Sequence, residues 1–480
     1  MMLRLSYISS SRRKMKKQIV INIISYIIVV CVFLCVLGFA SKTLEMKNAE
    51  SSYGSFFDKE KEYDVFFLGS SKVINAFFPM KLWKDYGITS YNLGAHASLL
   101  PTTYWMFENA LDYKTPKVVV IDMNDLASDF KYTSPEFLHN WIDAFGLSIN
   151  KIKTVVDLNE DGAKERAIED GELDSTVKGS NIEFLWNFCK YHSRWNEIND
   201  ESFEPPIRTE KGAEMRLNVA SFESEETSID KTISDDAIGV IYLKKIIEEC
   251  QQKGIDVVLV NLPGQANEDI FAQSSKMLEI AEEYNIRSID YMNMDIVDYS
   301  TDFYDDKHLN PLGATKITDH IGDYLFTEFG DAINRQDTKQ ELWEEDYWFY
   351  SNYKTELFDR CDTLPKSILM LKDDDFTTHI YINNYAFLND EMTVELLSKL
   401  NVDMSSVESA CAENGSCIVI IDNPEREGTQ VAYEASLTDT QMNSLREKAS
   451  IQEINIDNTD CNIRIIVENN VTGYIAINEF

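Results

Sequence analysis

The sequence predicts an α/β protein: a three-layer parallel-sheet domain with a helical insertion, an N-terminal transmembrane helix before it and a smaller C-terminal α+β domain after it. Three observations predict this architecture. Residues 18–40 form an almost unbroken apolar run. From Lys61 to Gly330, short β-branched or aromatic runs alternate with longer helical stretches, which is the rhythm of a parallel sheet covered by helices. Past Gly330 the texture changes to strands, a helix and a hairpin in close succession.

Composition bounds the function. A chain of 480 residues that is 44% hydrophobic fills more than one core. Acidic residues outnumber basic ones 81 to 45, for a formal charge of -36. That balance excludes nucleic acid as a partner, because phosphate binding depends on Lys and Arg displacing counterions. It suits a soluble ectodomain.

Gln18 to Ala40, interrupted mainly by Asn22 and Ser25, is long enough at about 1.5 Å per residue to cross a hydrocarbon core of roughly 30 Å. Arg4, Arg12, Arg13, Lys14, Lys16 and Lys17 precede it, whereas Lys42, Glu45, Lys47 and Glu50 nearly cancel after it. The positive-inside bias places residues 1–17 in the cytoplasm as a basic tail and everything beyond about residue 41 outside. A cleaved signal peptide is the alternative, since Gly38-Phe39-Ala40 has the small-x-small pattern. The run exceeds the usual apolar segment of roughly 7 to 15 residues, so the span is preferred. Residues 41–60 are polar and irregular and are expected to form a stalk.

Tyr63–Leu68, Ser90–Leu93, Val118–Asp122, Val257–Val260 and Arg287–Asp290 are expected as buried strands. Pro101–Tyr113 begins with a proline suited to a first helical turn. Ser234 can cap a helix through Ile238, Tyr242, Ile246 and Cys250 that stops before Gly254. A last helix, Ala314–Phe329, lines up Ile317, Ile321, Tyr324 and Leu325. Between about 131 and 231 aromatic, charged sequence replaces the rhythm, an insertion expected to be helical and to form a lid over the sheet edge.

After Gly330 a polar linker, Asp331–Gln340, leads to the last unit, 331–480. There Ser367–Leu371, Cys417–Ile421, Gln430–Ala435 and Ile451–Ile456 are expected as strands and Thr438–Ala449 as a helix. Asn462–Val467 and Tyr474–Ile477 form a hairpin pattern around Asn469–Gly473. The cysteines show no C-x-x-C metal signature. Cys411 and Cys417 are either paired or buried free thiols.

Two local patterns carry chemistry. Phe66-Phe67-Leu68-Gly69-Ser70-Ser71-Lys72 is an apolar strand that stops at glycine and presents hydroxyls, the place where a nucleophilic serine stands above a sheet edge. Gly-Ser-Ser is also ordinary turn chemistry. Asp305-Asp306-Lys307-His308-Leu309-Asn310-Pro311 places a carboxylate and an imidazole three residues apart before a helix. That spacing brings the carboxylate to Nδ1-H and leaves Nε2 as a base, although an acidic loop before a cap reads the same way.

Taken in order across residues 61–330, these blocks resemble the SGNH, or GDSL-type, hydrolase family. Gly69-Ser70-Ser71 resembles the first block, with Ser71 as nucleophile. Asn92-Leu93-Gly94 resembles the second, whose glycine N-H helps hold an oxyanion. Asp122-Met123-Asn124-Asp125 resembles the third, which gives Asn124 the role of a further oxyanion donor. Asp305 and His308 match the final Asp-x-x-His. The resemblance departs at Ser70, where the family has aspartate, and at Asp122, where it has glycine. The Gly-Ser-Ser form is similar to envelope acyl-transfer members of lipoteichoic acid D-alanylation and exopolysaccharide O-acetylation.

The resemblance implies a serine ester hydrolase or O-acyltransferase on envelope glycan, with no metal or cofactor. A transferase would need a multi-pass acyltransferase partner in the membrane. The opposing expectation is a non-catalytic envelope-binding or assembly protein that retains the fold. Asp157-Leu158-Asn159-Glu160-Asp161-Gly162 matches only the first half of a calcium loop, because Ile168 stands where the bidentate carboxylate belongs. Asp373-Asp374-Asp375 is expected as a solvated loop, and His96 as a pocket-lining or structural histidine.

Overall fold

The computed structural model describes residues 2–123, 125–158, 181–206, 208–222, 231–265, 268–333, 340–388, 390–422, 431–434, 436–454 and 461–480. Helix α1 (Met2–Leu44) contains an apolar stretch, Lys17–Leu44, that is long enough to cross a membrane and is bare along its most apolar window. The expected stalk is instead packed structure. Helix α2 (Asn48–Tyr53) and a 3-10 turn, Gly54–Phe57, bury Tyr53 and Phe56. The Phe56 ring lies against Tyr63, Phe66 and Tyr91, so local polarity is overridden by one aromatic cluster.

Five parallel strands follow: β1 (Val65–Gly69), β2 (Ser90–Gly94), β3 (Val118–Asp122), β4 (Asp256–Asn261) and β5 (Arg287–Asp290). Their order is β2-β1-β3-β4-β5. Alternate residues of each strand face opposite layers. Phe66, Leu68, Val119, Ile121, Val257 and Leu259 join one core. Val65, Phe67, Val118, Val120, Val258 and Val260 join the other. β1 and β3 are buried at every position, which is why they read as continuous apolar runs, each large side chain contributing roughly 1.5–3 kcal/mol, whereas in the edge strand β5, expected as buried, only Ile289 is buried.

Helices α3 (Ser71–Ala76), α4 (Pro79–Tyr86) and α5 (Leu100–Leu111) connect the first strands. After β3 come α6 (Pro135–Ile142), α7 (Ile149–Leu158), α8 (Asn181–Leu185) and α9 (Phe188–Tyr191) among the described residues. Helix α10 (Ile238–Lys253) ends at Gly254, whose φ of 69° suits a left-handed cap. Its first turn begins after Ala237; Ser234 Oγ accepts the Asp236 N-H and Ser234 O the Ala237 N-H, so Ser234 stands ahead of the helix rather than capping it. Helices α11 (Glu268–Tyr284) and α12 (Pro311–Ile333) complete the layers.

The remainder forms a second, antiparallel sheet. It is built from β6 (Phe376–Ile382), β7 (Cys417–Asp422), β8 (Val431–Glu434), β9 (Ile463–Asn469) and β10 (Ile475–Glu479), in the order β10-β9-β6-β7-β8. Its helices are α13 (Gln340–Asp359), α14 (Leu364–Met370), α15 (Glu391–Lys399), α16 (Met404–Asn414) and α17 (Asp439–Ile451). The hairpin of β9 and β10 stands where the sequence places it.

Two expected strands are corrected, and one strand was missed. Ser367–Leu371 is not a strand, because Pro365 opens a helical turn and the short apolar run packs as α14. Ile451 ends α17 and Gln452–Glu453 is a turn; residues 455–456 of that expected strand lie outside the described residues. The central strand β6 escaped notice because Thr377, Thr378 and His379 mask a strand that is nevertheless largely buried. Cys411 and Cys417 are buried free thiols with sulfurs 3.2 Å apart.

Candidate active site

The strand order reverses direction between β1 and β3, and in open parallel sheets ligands bind beyond the carboxyl ends of strands at such a point. β1 ends there at Gly69. A Cβ at this position would lie 2.6 Å from Val73 Cγ2 and 3.1 Å from Asp122 Cβ, so only glycine permits the turn. Ser70 is extended and caps α3, its Oγ accepting the Lys72 N-H at 3.4 Å. Ser71 becomes the first residue of that helix.

The second element is the tight loop before α12. Phe303 bridges Ala220 and Leu309, and the Tyr304 N-H donates to His308 O at 2.8 Å. Asn310 anchors its base: Nδ2 donates to the carbonyls of Thr301 (2.7 Å), Asn218 (3.1 Å) and Phe303 (3.2 Å), while Oδ1 accepts the N-H of Leu312 (3.0 Å). Asparagine followed by an N1 proline is a helix-start signal that points to this anchor, and no role was expected for Asn310 beyond its motif.

Within the loop, Asp305 Oδ1 accepts the backbone N-H groups of Lys307 and His308, each at 2.9 Å. His308 Nδ1 stands 2.9 Å from both Asp305 oxygens, and its Nε2 stands 2.8 Å from Ser71 Oγ. A carboxylate only accepts, so Nδ1 carries the hydrogen and Nε2 offers its lone pair to the serine hydroxyl. Burial pushes the Asp305 carboxyl up, but the hydrogen bonds from His308 and from the backbone outweigh it and hold the group below its ordinary range.

Gly94, at the end of β2, is pressed against β1 and α3. A Cβ there would fall 2.9 Å from Ser70 O and 3.0 Å from Ile74 Cγ1. Gly94 lines a cleft of about 290 Å³ with Asn48, Ser52, Tyr53, His96, Arg208 and Glu214. His96 Nε2 lies 3.4 Å from Glu214, and Arg216 pairs with the same carboxylate and stacks over Tyr304 beside Asp305. Glu214 thus lines the cleft and is held by His96 and Arg216, a role that no local pattern announced. Asn124 lies outside the described residues. Asp122, which would oppose an oxyanion if aimed at it, sends Oδ1 to the Leu262 N-H at 3.2 Å, toward the side of β3 away from β1.

The remaining candidates are structural. Asp157 accepts from Trp105 Nε1 (2.6 Å), Lys131 Nζ (2.9 Å) and the Tyr242 hydroxyl, tying α7 to α5 and α10; residues 159–162 of the calcium-like pattern lie outside the described residues. The carboxylates of Asp373, Asp374 and Asp375 come within 4.8 Å of one another. Lys354 sits 2.6 Å from Asp373 and 2.7 Å from Asp375, and Lys84 lies 2.5 Å from Asp374 and 3.0 Å from Asp375. These ammonium groups supply the countercharge that a cation would bring. The loop is a salt-bridge cluster rather than the solvated loop expected, with Asp375 fully buried.

No protein-family model matches the chain, and no curated protein matches it. Among solved structures, a "putative acylhydrolase" from Bacteroides fragilis NCTC 9343 matches over 57% of this chain and 94% of its own, at 11% sequence identity and a TM-score of 0.28. A likeness at that level carries no argument about chemistry.

Proposed function

We propose that this chain is a membrane-anchored, extracytoplasmic serine ester hydrolase or O-acyltransferase acting on cell-envelope glycan. The observation that carries it is the continuous relay from Asp305 through His308 to Ser71, assembled from residues 237 positions apart. Such a relay has one evident use. Ser71 Oγ attacks an ester carbonyl carbon as His308 Nε2 takes its proton, and Asp305 steadies the imidazolium.

The N-H groups of Ser71 and Gly94, with the Asn124 side chain, are the proposed oxyanion donors. Collapse of the tetrahedral intermediate breaks the ester bond, and His308 returns the proton to the departing alcohol. Water or a glycan hydroxyl then attacks the acyl-serine, with His308 again as base, to regenerate Ser71. Water gives an esterase. A hydroxyl acceptor gives a transferase, for which a multi-pass membrane acyltransferase is the proposed donor partner.

The two departures from the SGNH pattern are compatible with this chemistry. Ser70 caps α3 as aspartate would, and Asp122 engages β4. The basic residues in the first part of α1, ahead of its apolar run, support a cytoplasmic N-terminus. The test is Ser71→Ala in the purified protein: hydrolysis of an activated acetyl ester and covalent labelling by a fluorophosphonate should both disappear. Retention of both would overturn the proposal, and products from acetylated and unacetylated wall glycans separate esterase from transferase.

A further inference from the structure

We propose that the segment between β3 and α10 rests an aromatic face in the membrane interface beside the exit of α1, making the phospholipid surface a binding partner of the folded region. This rests on α1 crossing the membrane and is independent of the chemistry at Ser71.

The protein begins where the lipid-facing helix ends. Residues through Phe39 are widely exposed, whereas Ser41, Thr43 and Leu44 are buried against the chain itself. Two hydrogen bonds fix what packs there. The Arg194 guanidinium donates to Leu44 O at 3.1 Å, and the Asn187 amide donates to Glu45 Oε2 at 2.7 Å. Phe39 and Leu44 are five helical residues apart, about 8 Å of rise, so Asn187 and Arg194 are held near the boundary between lipid and water.

Their chain neighbours are tryptophans. Trp186 is 39% exposed and Trp195 is 71% exposed, and Ile182, Ile198 and Phe203 in the same stretch are also exposed. Exposed tryptophan is costly in water but is the preferred residue at the level of lipid headgroups, where its ring is apolar and its N-H is wet. Asp200, Glu201 and Glu204 lie in the same segment and are exposed, so attraction to anionic lipid is not the device. Aromatic insertion is.

The consequence reaches the cleft. Asn48, Ser52 and Tyr53 line it, and the Tyr53 hydroxyl donates to Gly94 O. Leu44 and Tyr53 are separated by three connecting residues and one short helix, roughly 20 Å at most. The cleft therefore lies within about that distance of the end of the apolar helix.

The experiment uses the full chain in phosphatidylcholine nanodiscs, with and without phosphatidylglycerol, and spin-labelled lipid as quencher of tryptophan emission. A label near the headgroup should quench more than one near the chain end, equally in both lipid mixtures. The Trp186→Phe/Trp195→Phe double variant should lose most of that quenching, Trp348→Phe should keep it, and Ser71→Ala should behave as the unaltered chain. Quenching that is absent, or unchanged in the double variant, overturns the inference while leaving the anchor and the ester chemistry standing. A chain that does not stay with the disc overturns the membrane span, and the inference with it.

Discussion

The Oγ of Ser71 and the Nε2 of His308 lie 2.8 Å apart, although 237 positions separate them in the chain. The imidazole is oriented by Asp305 before it meets the serine, because both carboxylate oxygens lie 2.9 Å from Nδ1. The three side chains therefore act as one unit.

Asp305→Asn should leave the loop folded but present the wrong histidine tautomer to Ser71, lowering kcat by up to about 10⁴-fold. The Asp305 carboxyl is held below its ordinary range by His308 and the backbone against the effect of burial. A depressed carboxyl contributes stability above its unfolded value and loses it as pH falls through its folded value. Asp305 is thus ionised throughout the neutral range, and Asp305→Asn should lower turnover at every pH between about 5 and 9. A pH profile of ester hydrolysis checks this.

Gly94→Ala should damage both stability and turnover. The added Cβ meets the Ser70 carbonyl at 2.9 Å, and backbone cannot rotate away as a flexible side-chain end would. The expected loss is about 1–3 kcal/mol in denaturant unfolding, with kcat reduced because the displaced groups flank Ser71.

Asn310→Ala should destabilise the protein by about 2–4 kcal/mol, since it removes a helix cap and leaves buried carbonyls unpaired. Turnover should fall as well, because His308 stands two residues before this anchor. Asn310→Asp keeps the cap oxygen but not the donors, and its unfolding midpoint should lie between the two.

Lys354→Met should cost about 3–5 kcal/mol, because the buried Asp375 carboxylate would lose its main partner, while Asp373, whose carboxyl burial already raises to about 6, would take up a proton. Burial raises the Asp375 carboxyl, but Lys354 and Lys84 outweigh it and hold it well below the carboxylate range. Its contribution to stability is present above the unfolded value of about 3.9 and is lost as pH falls below it. Thermal unfolding from neutral pH into acid should steepen below that value in the unaltered protein and flatten in Asp375→Asn.

Much of the first sheet was legible. β3 and β5 coincide with their expected runs, and β1, β2 and β4 shift by two residues or fewer; β1 and β3, buried at every position, are the most continuously apolar. The second sheet was less so. β6 hides threonine and histidine under packed helices, α14 is too short to show a helical period, and α13 was not anticipated after the expected linker. The stretch 41–60 misled because its polar residues surround Tyr53 and Phe56, which are buried only when β1 and β2 stand beside them.

By itself the sequence determined the apolar span, the alternation of strands and helices, and the local chemistry of each turn: glycine at 69 where no Cβ fits, a hydroxyl cap at 70, a carboxylate three residues before an imidazole. Near-neighbour sterics and hydrogen bonding decide such features. Only the tertiary structure decided that the turn after β1 and the loop before α12 converge, that Glu214 lines the cleft beside Gly94, and that Asp122 turns toward β4. Those relations depend on the strand order β2-β1-β3-β4-β5, which is set by burial of whole faces rather than by any residue and its neighbours in the chain.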